Sequence, residues 1–319
     1  MCINLKIRIY LGYNRLSRND PPNQTGIMIM KQRTLNSYLR EKYHKKLYKV
    51  SINAGLTCPN RDGTLGERGC IFCSGAGSGD FAGDAALSVT EQIDRGKERI
   101  QGKLPKGDYG LIAYFQAYTN TYAPVDRLRE LYMEAVLHPE VDIISIATRP
   151  DCLGDDVMGL LSEINGLKPV WVELGLQTIH ERTAEYIRRG YPLSVYDEAV
   201  KKLGAYDIET IVHVILGLPG ESRDDMLETV RYVGESGVQG IKLQLLHVLR
   251  GTDLADDYLA GKFSCLTLDE YADLIRDALD ILPEDIVIHR MTGDGDKKIL
   301  IAPEWSGDKK RVLNRLATL

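Results

Sequence analysis

A chain of 319 residues, 44% hydrophobic and 27% charged, is long enough to bury one large core or two modest ones, which excludes a globally disordered protein. No apolar run reaches the ~18 residues of a membrane span, and six cysteines are too few for a disulfide scaffold. The net charge of −5 hides an asymmetry: residues 1–30, 31–49 and 289–319 together carry +12, leaving −17 on residues 50–288, so a polyanionic partner is not excluded.

Residues 1–30 show no sustained period and contain the breaker cluster Asn19-Asp20-Pro21-Pro22-Asn23, which predicts a flexible N-terminal arm. The stretch from Met1 to Tyr10 is interrupted by Lys6 and Arg8 and has no cleavage site, so a cytoplasmic location without membrane contact is expected. A regular alternation begins at Lys49. β-rich runs at 49–54, 109–116, 142–148, 170–176, 209–216 and 240–247 alternate with helical segments at 89–101, 125–137, 155–164, 194–204 and 223–236. Six β-α units in about 200 residues predict parallel strands joined by right-handed crossovers. A full eight-fold barrel takes about 250 residues. The expected fold is therefore α/β, an incomplete (β/α)6 TIM-like barrel over 31–250, with a doubly wound open sheet as the alternative. The C-terminal α+β extension, 251–319, reads as a helix near 267–281, a strand near 286–290 and a basic helix near 308–317.

In such sheets chemistry sits on the loops after the strands. The loop after the first strand runs from Cys58 to Cys73 through Cys70, three thiols within sixteen residues. Thiolates suit zinc or iron–sulfur clusters. A closed zinc site needs a fourth ligand, for which His44 or Cys152 is available. Three buried structural cysteines fit a Gly-rich polar loop poorly. A three-cysteine [4Fe–4S] cluster accounts for the missing ligand, because one iron stays open to a small molecule.

The spacing C-x11-C-x2-C, with Phe72 just before the last cysteine and a strand before the first, resembles the radical S-adenosylmethionine (SAM) superfamily. The superfamily's commonest first gap is three residues, and the longer gap is typical of one branch. The runs AGLTCPNRDG, GCIFCSGAGSGDFAG, YFQAYTNTYAP, ATRPDCL, HVILGLPGE and HRMTGDG resemble the YhcC/YtqA-type family, which is related to the Elongator catalytic subunit. The resemblance covers residues 31–319.

It implies that Cys58, Cys70 and Cys73 hold the cluster and that SAM takes the fourth iron, where its reductive cleavage gives methionine and a 5′-deoxyadenosyl radical. It places Gln116, with Tyr118 beside it, where relatives carry a Gly-Gly-Glu-like contact to the methionine amino group; rim packing is the alternative for Tyr118. Gln177 falls where ribose hydroxyls or the methionine carboxylate are bound, Arg189 resembles a carboxylate clamp, and Arg188 reads as a solvated charge. Gly217 falls on the adenine-binding strand end. The segment from Thr148 to Asp151 is expected to face SAM or substrate. Cys152 is expected as a bystander thiol, and His247, His289 and Arg290 as substrate-side or core residues.

For the substrate, the Elongator relationship points to tRNA, specifically the C5 side chain of a wobble uridine, converted from carboxymethylaminomethyl- toward aminomethyl-uridine. The basic runs Arg40–Lys49 and Lys309–Arg315 are candidate phosphate tracks, with solvated helix faces as the bland reading. An electron donor such as flavodoxin or ferredoxin is implied as a partner. A small metabolite or protein substrate, and a non-catalytic zinc- or cluster-binding module, are the competing readings.

Overall fold

A computed structural model describes residues 31–318 except Ser78, Asp80, Lys106 and Asp294, so the expected N-terminal arm lies outside the described residues. Seven parallel strands form one curled sheet. They are β1 (Lys46–Ile52), β2 (Tyr109–Phe115), β3 (Val141–Thr148), β4 (Val170–Gln177), β5 (Glu209–Leu216) and β6 (Gly240–Leu245), followed, past the short β7 (Val248–Leu249), by β8 (Val287–Arg290). Neighbours in space are neighbours in sequence, β1-β2-β3-β4-β5-β6-β8, with no reversal of strand order. That order makes an open half-barrel and rules out the doubly wound alternative, whose order must reverse at a switch point. β7 pairs with β9 (Leu300–Ala302) in a separate antiparallel ribbon.

The helices are α1 (Leu35–Tyr43), α2 (Val89–Ile100), α3 (Val125–Leu137), α4 (Asp155–Leu167), α5 (Glu181–Tyr186), α6 (Leu193–Ala205), α7 (Arg223–Glu235), α8 (Asp253–Leu259), α9 (Leu268–Ile281) and α10 (Lys309–Leu316). Those opening at Ser88, Ser222 and Thr267 carry complete capping boxes, where the cap hydroxyl and the third-position carboxylate satisfy each other's backbone N–H groups. The outward strand residues Val172, Leu174, Leu176, Val212 and Val214 pack with these helices into the main core. Because side chains alternate along a strand, the inward set is left for the lumen.

The strand expected within the C-terminal extension joins the barrel as its seventh strand. β8 pairs with β6, Gly240 to Val287 and Ile241 to Ile288, and a register slip past His289 then sets Lys242 beside Arg290. α9 supplies the connection that a parallel neighbour requires.

α1 seals the amino end of the barrel. Leu39 packs there with Leu47, Ile112, Ile143, Trp171 and Ile211. Tyr38 Oη donates to Glu209 Oε1 at 2.9 Å, and Thr34 bridges to Ile288. The basic run Arg40–Lys49 is thereby placed at the end opposite the strand carboxyl termini. Lys42 and Lys45 are paired with Glu209 and Asp142, and Lys49 points inward to Glu173. α10 lies on α9 through Val312 and Leu316, with Arg315 bonded to Asp269.

Candidate active site

The loop between β1 and α2 folds back on itself, which explains how eleven residues can separate the first two cysteines. Gly69 N–H donates to the Asn60 carbonyl at 2.7 Å and Leu65 N–H to the Pro59 carbonyl at 2.8 Å, closing the intervening segment as a side excursion. The buried Asn60 amide donates to the Arg188 carbonyl at 2.7 Å and reaches Cys70 Sγ at 3.4 Å. Arg61 Nη2 donates to the carbonyls of Cys73 at 2.9 Å and Ser74 at 2.7 Å, tying the far end of the loop. Burial, with Cys73 alongside, pushes the Cys70 thiol up to about 12.

Cys58, Cys70, Phe72 and Cys73 open onto a cavity of about 400 Å³ at the carboxyl ends of the strands, also lined by Gln116, Tyr118, Gln177 and Arg189. Eight of the nine residues singled out from the sequence therefore share one space. Gly217 does not line it among the described residues. Its φ is +92°, its N–H is directed at Met226 Sδ at 3.0 Å, and a side chain there would approach Leu266, so the glycine makes the turn at the end of β5. On that side the lining is made by Ile215 and Leu246.

Gln177 stands out on two counts. It adopts a left-handed φ of +71° at a register slip between β4 and β5, and its Oε1 is buried without a hydrogen-bond partner. A strained backbone costs about 1–3 kcal/mol and an unsatisfied buried acceptor costs a similar amount. Both costs, facing a cavity, fit a residue that completes its bonding with a ligand such as a diol or an ammonium group. Arg189 is 2% exposed and much of its fork is engaged: Nε to the Tyr191 carbonyl at 3.0 Å, Nη1 to Thr178 at 2.6 Å and Nη2 to Glu181 at 3.2 Å. It shapes the 178–191 loop as well as lining the cavity. Arg188, expected as a solvated charge, is instead paired with Asp253.

Tyr118 packs its ring on Gly77, donates from its hydroxyl to the Gly75 carbonyl at 2.7 Å, and lies 5.8 Å from the Arg61 guanidinium. It both lines the cavity and braces the cysteine loop. Gly77 has φ +59°, and a Cβ there would fall 2.3 Å from the Tyr118 ring. Gly77→Ala is therefore expected to cost at least about 1–2 kcal/mol from the left-handed backbone alone and to lower iron content. Iron assay and thermal unfolding of the purified variant check this; iron binding and Tm equal to wild type would refute it.

Arg149 makes a two-pronged bond to Asp151, Nε to Oδ1 at 2.9 Å and Nη2 to Oδ2 at 2.7 Å, and stacks 5.1 Å from Tyr191. Cys152 lies outside the main cavity, in a second groove with Leu65 and Tyr122. His247 lines the main cavity beneath the Gly293 and Gly295 backbone, so close that a side chain on Gly293 would fall 2.5 Å from its ring.

A second constellation, deeper in the lumen, was not singled out from the sequence. Glu173, fully buried on β4, accepts from Lys49 Nζ at 2.8 Å, Ser145 Oγ at 2.7 Å and His213 Nε2 at 2.8 Å, and is paired with Lys242. Lys49 and Lys242 lie over the Tyr114 ring at 4.2 and 4.7 Å. Despite burial, the surrounding cations hold the Glu173 carboxyl well below its usual range, whereas burial, with Lys242 adding, lowers His213 to about 4. Burial also drives Lys242 well below the ordinary lysine range, against the pull of Glu173. The available signal was a charged or polar residue in the middle of a mostly apolar strand, as with Glu173 in β4 and His213 in β5.

Among the described residues, the group whose ligand atoms all lie within 4.8 Å of one another is His180, Asp225 and Glu228; the three cysteine sulfurs are not drawn together to that spacing. Bonds of ~2.3 Å to one tetrahedral zinc would hold sulfurs within about 4 Å. Wider sulfurs on a loop over a polar cavity suit a multi-iron cluster.

An incomplete parallel barrel with a three-thiol loop at its mouth defines a class, and comparison with known families agrees: residues 58–233 match the radical SAM superfamily and residues 238–318 its C-terminal domain. The chain belongs to the radical SAM superfamily, whose members bind a [4Fe–4S] cluster and SAM, and within it to the YhcC/YtqA-type family. It is 48% identical to the protein YtqA of Bacillus subtilis over 89% of this chain and 87% of that one. It is 22% identical to a tRNA uridine(34) acetyltransferase of Methanocaldococcus jannaschii, over 87% of this chain and 57% of that one. The structure of the archaeal Elp3 from Methanocaldococcus infernus shares the fold, with a TM-score of 0.63 at 16% identity, covering 85% of this chain and 62% of that one. The chain is thus a radical SAM enzyme, and no helix among its described residues is long and apolar enough to cross a membrane.

Proposed function

We propose that this enzyme modifies the C5 side chain of a tRNA wobble uridine, taking carboxymethylaminomethyl- toward aminomethyl-uridine, with Cys58, Cys70 and Cys73 as the cluster ligands. The observation that carries the cofactor assignment is the shared cavity, in which the three cysteines open onto the same space as Gln116, Tyr118 and the orphaned amide of Gln177. A cluster held there supplies one-electron reduction of SAM. The chain's own residues orient the cofactor: Gln116 and Gln177 offer amide donors and acceptors to its amino acid and ribose ends, and Arg189 its remaining guanidinium donors to the carboxylate. Phe72 packs against the hydrophobic cluster that contains Ile71, Ile187 and Ile215 and so holds the cysteine loop to the barrel mouth.

The substrate assignment is supported by the match to tRNA uridine(34) acetyltransferases across most of this chain. It is supported also by the charge of the cavity, lined among the described residues by Arg61, Arg149, Arg189, Lys242 and Arg290 and by one carboxylate, Glu173, with Arg149 and Arg189 paired to Asp151 and Glu181 behind the lining. The basic run Arg40–Lys49 lends no support, because it sits at the sealed end and several of its lysines are paired internally. A reduced flavodoxin or ferredoxin in the cytosol completes the reading.

The test is mass spectrometry of tRNA nucleosides from a strain lacking this protein. Carboxymethylaminomethyl-uridine is expected to accumulate while aminomethyl-uridine and its derivatives disappear. A nucleoside profile identical to wild type would overturn the substrate assignment and leave the SAM chemistry standing.

A further inference from the structure

We propose that Arg290, backed by Lys242 and Lys49, is a receptor for a carboxylate carried by the substrate, set in the barrel lumen within the same cavity as the cysteine loop. The starting point is a ring of polar side chains. Each of the seven strands contributes one: Lys49, Tyr114, Ser145, Glu173, His213, Lys242 and Arg290, above a floor of Leu47, Ile112, Ile143, Trp171 and Ile211 that His289 joins by packing on Trp171. A barrel needing only a filled core would put branched aliphatic residues here.

The charges in this ring do not balance. Burial lowers Lys242, yet even without its charge Lys49 and Arg290 face one carboxylate, Glu173, whose oxygens are already occupied by Lys49, Ser145, His213 and Lys242. His213 and His289 are both held neutral by burial, so they neither add nor remove charge. Among the described residues, no other carboxylate lines the cavity, and the Arg290 guanidinium makes no hydrogen bond or ion pair. Its position is nonetheless specific, because the register slip past His289 is what turns Arg290 to the lumen beside Lys242. A partly buried cation with no partner is unfavourable. It persists where a ligand provides the counter-charge, and a planar guanidinium matches a carboxylate through two parallel bonds.

Two carboxylates could fill the place, that of SAM and that of the substrate. The polar amides Gln116 and Gln177 lie higher, at the strand ends near the cysteines, whereas Lys242 and Glu173 lie mid-strand; the lumen position favours the substrate. In the wobble-uridine reading, on which only the identity of the group rests, the carboxylate is the carboxymethyl terminus.

The experiment uses cluster-reconstituted, SAM-bound enzyme and two probes, N-methylglycine and its neutral amide, with binding followed by ligand-observed NMR. N-methylglycine is expected to bind at least ten-fold more tightly than the amide. Arg290→Gln should remove that preference and Arg290→Lys should restore part of it, while affinity for SAM changes less than two-fold. Because Arg290 has no partner to lose, the Tm of Arg290→Gln without probe should equal or exceed wild type; a residue with a merely structural role would lower it. Equal binding of both probes, or an unchanged preference in Arg290→Gln, overturns the receptor. A ten-fold loss of SAM affinity in Arg290→Gln with probe binding intact also overturns it, assigning the site to the cofactor. Probe binding as expected, together with unaltered tRNA nucleosides in the deletion strain, would uphold the receptor and reject the wobble-uridine reading.

Discussion

Cys70→Ala is expected to abolish both reconstitution of the [4Fe–4S] cluster, at about four irons per chain, and formation of 5′-deoxyadenosine from SAM under reducing conditions. Cys58→Ala and Cys73→Ala should do the same. The effect is all-or-none because two thiolates cannot replace three around a cluster that must also keep one iron open. Loss of folding is a poor alternative explanation for Cys70. The Asn60 amide would forfeit a 3.4 Å contact to sulfur but keep its 2.7 Å bond to the Arg188 carbonyl. Circular dichroism and Tm close to those of the metal-free wild type should accompany the lost iron. Full iron content or retained turnover in any one variant would refute the ligand assignment.

Glu173→Ala is expected to destabilise the protein by about 3–5 kcal/mol, the cost of removing one partner from a buried ion pair, because it leaves Lys49 and Lys242 facing each other in the lumen. Glu173→Gln keeps an acceptor for Ser145 and His213 and should cost less. Chemical denaturation of the two variants checks the order, and wild-type stability in Glu173→Ala would show that the network does not support the fold. The same network sets an acid limit. Glu173 has a folded value depressed below the unfolded one, so its contribution is present above the ordinary glutamate range and is lost as pH falls through the folded value. His213 is lowered to about 4, so below about 6.5 the unfolded chain binds the extra proton and stability declines as pH falls toward 4. A Tm that falls between pH 6.5 and 4 in wild type, with a shallower slope in His213→Asn, is the expected result.

The fold was largely legible because most strands are short apolar runs closed by polar or glycine residues, and the helices that open at Ser88, Ser222 and Thr267 show their caps. The strand at 209–216 and the helix at 125–137 coincide with the observed β5 and α3. The site at the mouth was legible for a related reason: parallel strands deliver their carboxyl ends to one face, so Cys58, Gln116 and Gln177 had to converge. α1 was missed, since Leu35–Tyr43 is a polar-rich helix whose few apolar residues find their partners only on the barrel floor. Its position matters to function, because it moves the most basic stretch of the chain to the end away from the cavity. Gly217 follows β5, whose Ile215 lines the cavity, and its φ of +92° marks the turn at that strand end.

By itself the sequence determined the order of elements, the three-thiol loop and the face on which chemistry occurs, because all three follow from local pattern and the period of a strand. The tertiary structure alone decided that the extension supplies the seventh strand and that Lys49, Glu173, His213, Lys242 and Arg290 meet in one ring. Those residues are separated by up to 241 positions in the chain. Which of them touch depends on strand register, and a slip of one residue past His289 is enough to turn Arg290 toward the lumen. The acidic chain with basic ends thus folds into a barrel whose positive charge of consequence lies inside it.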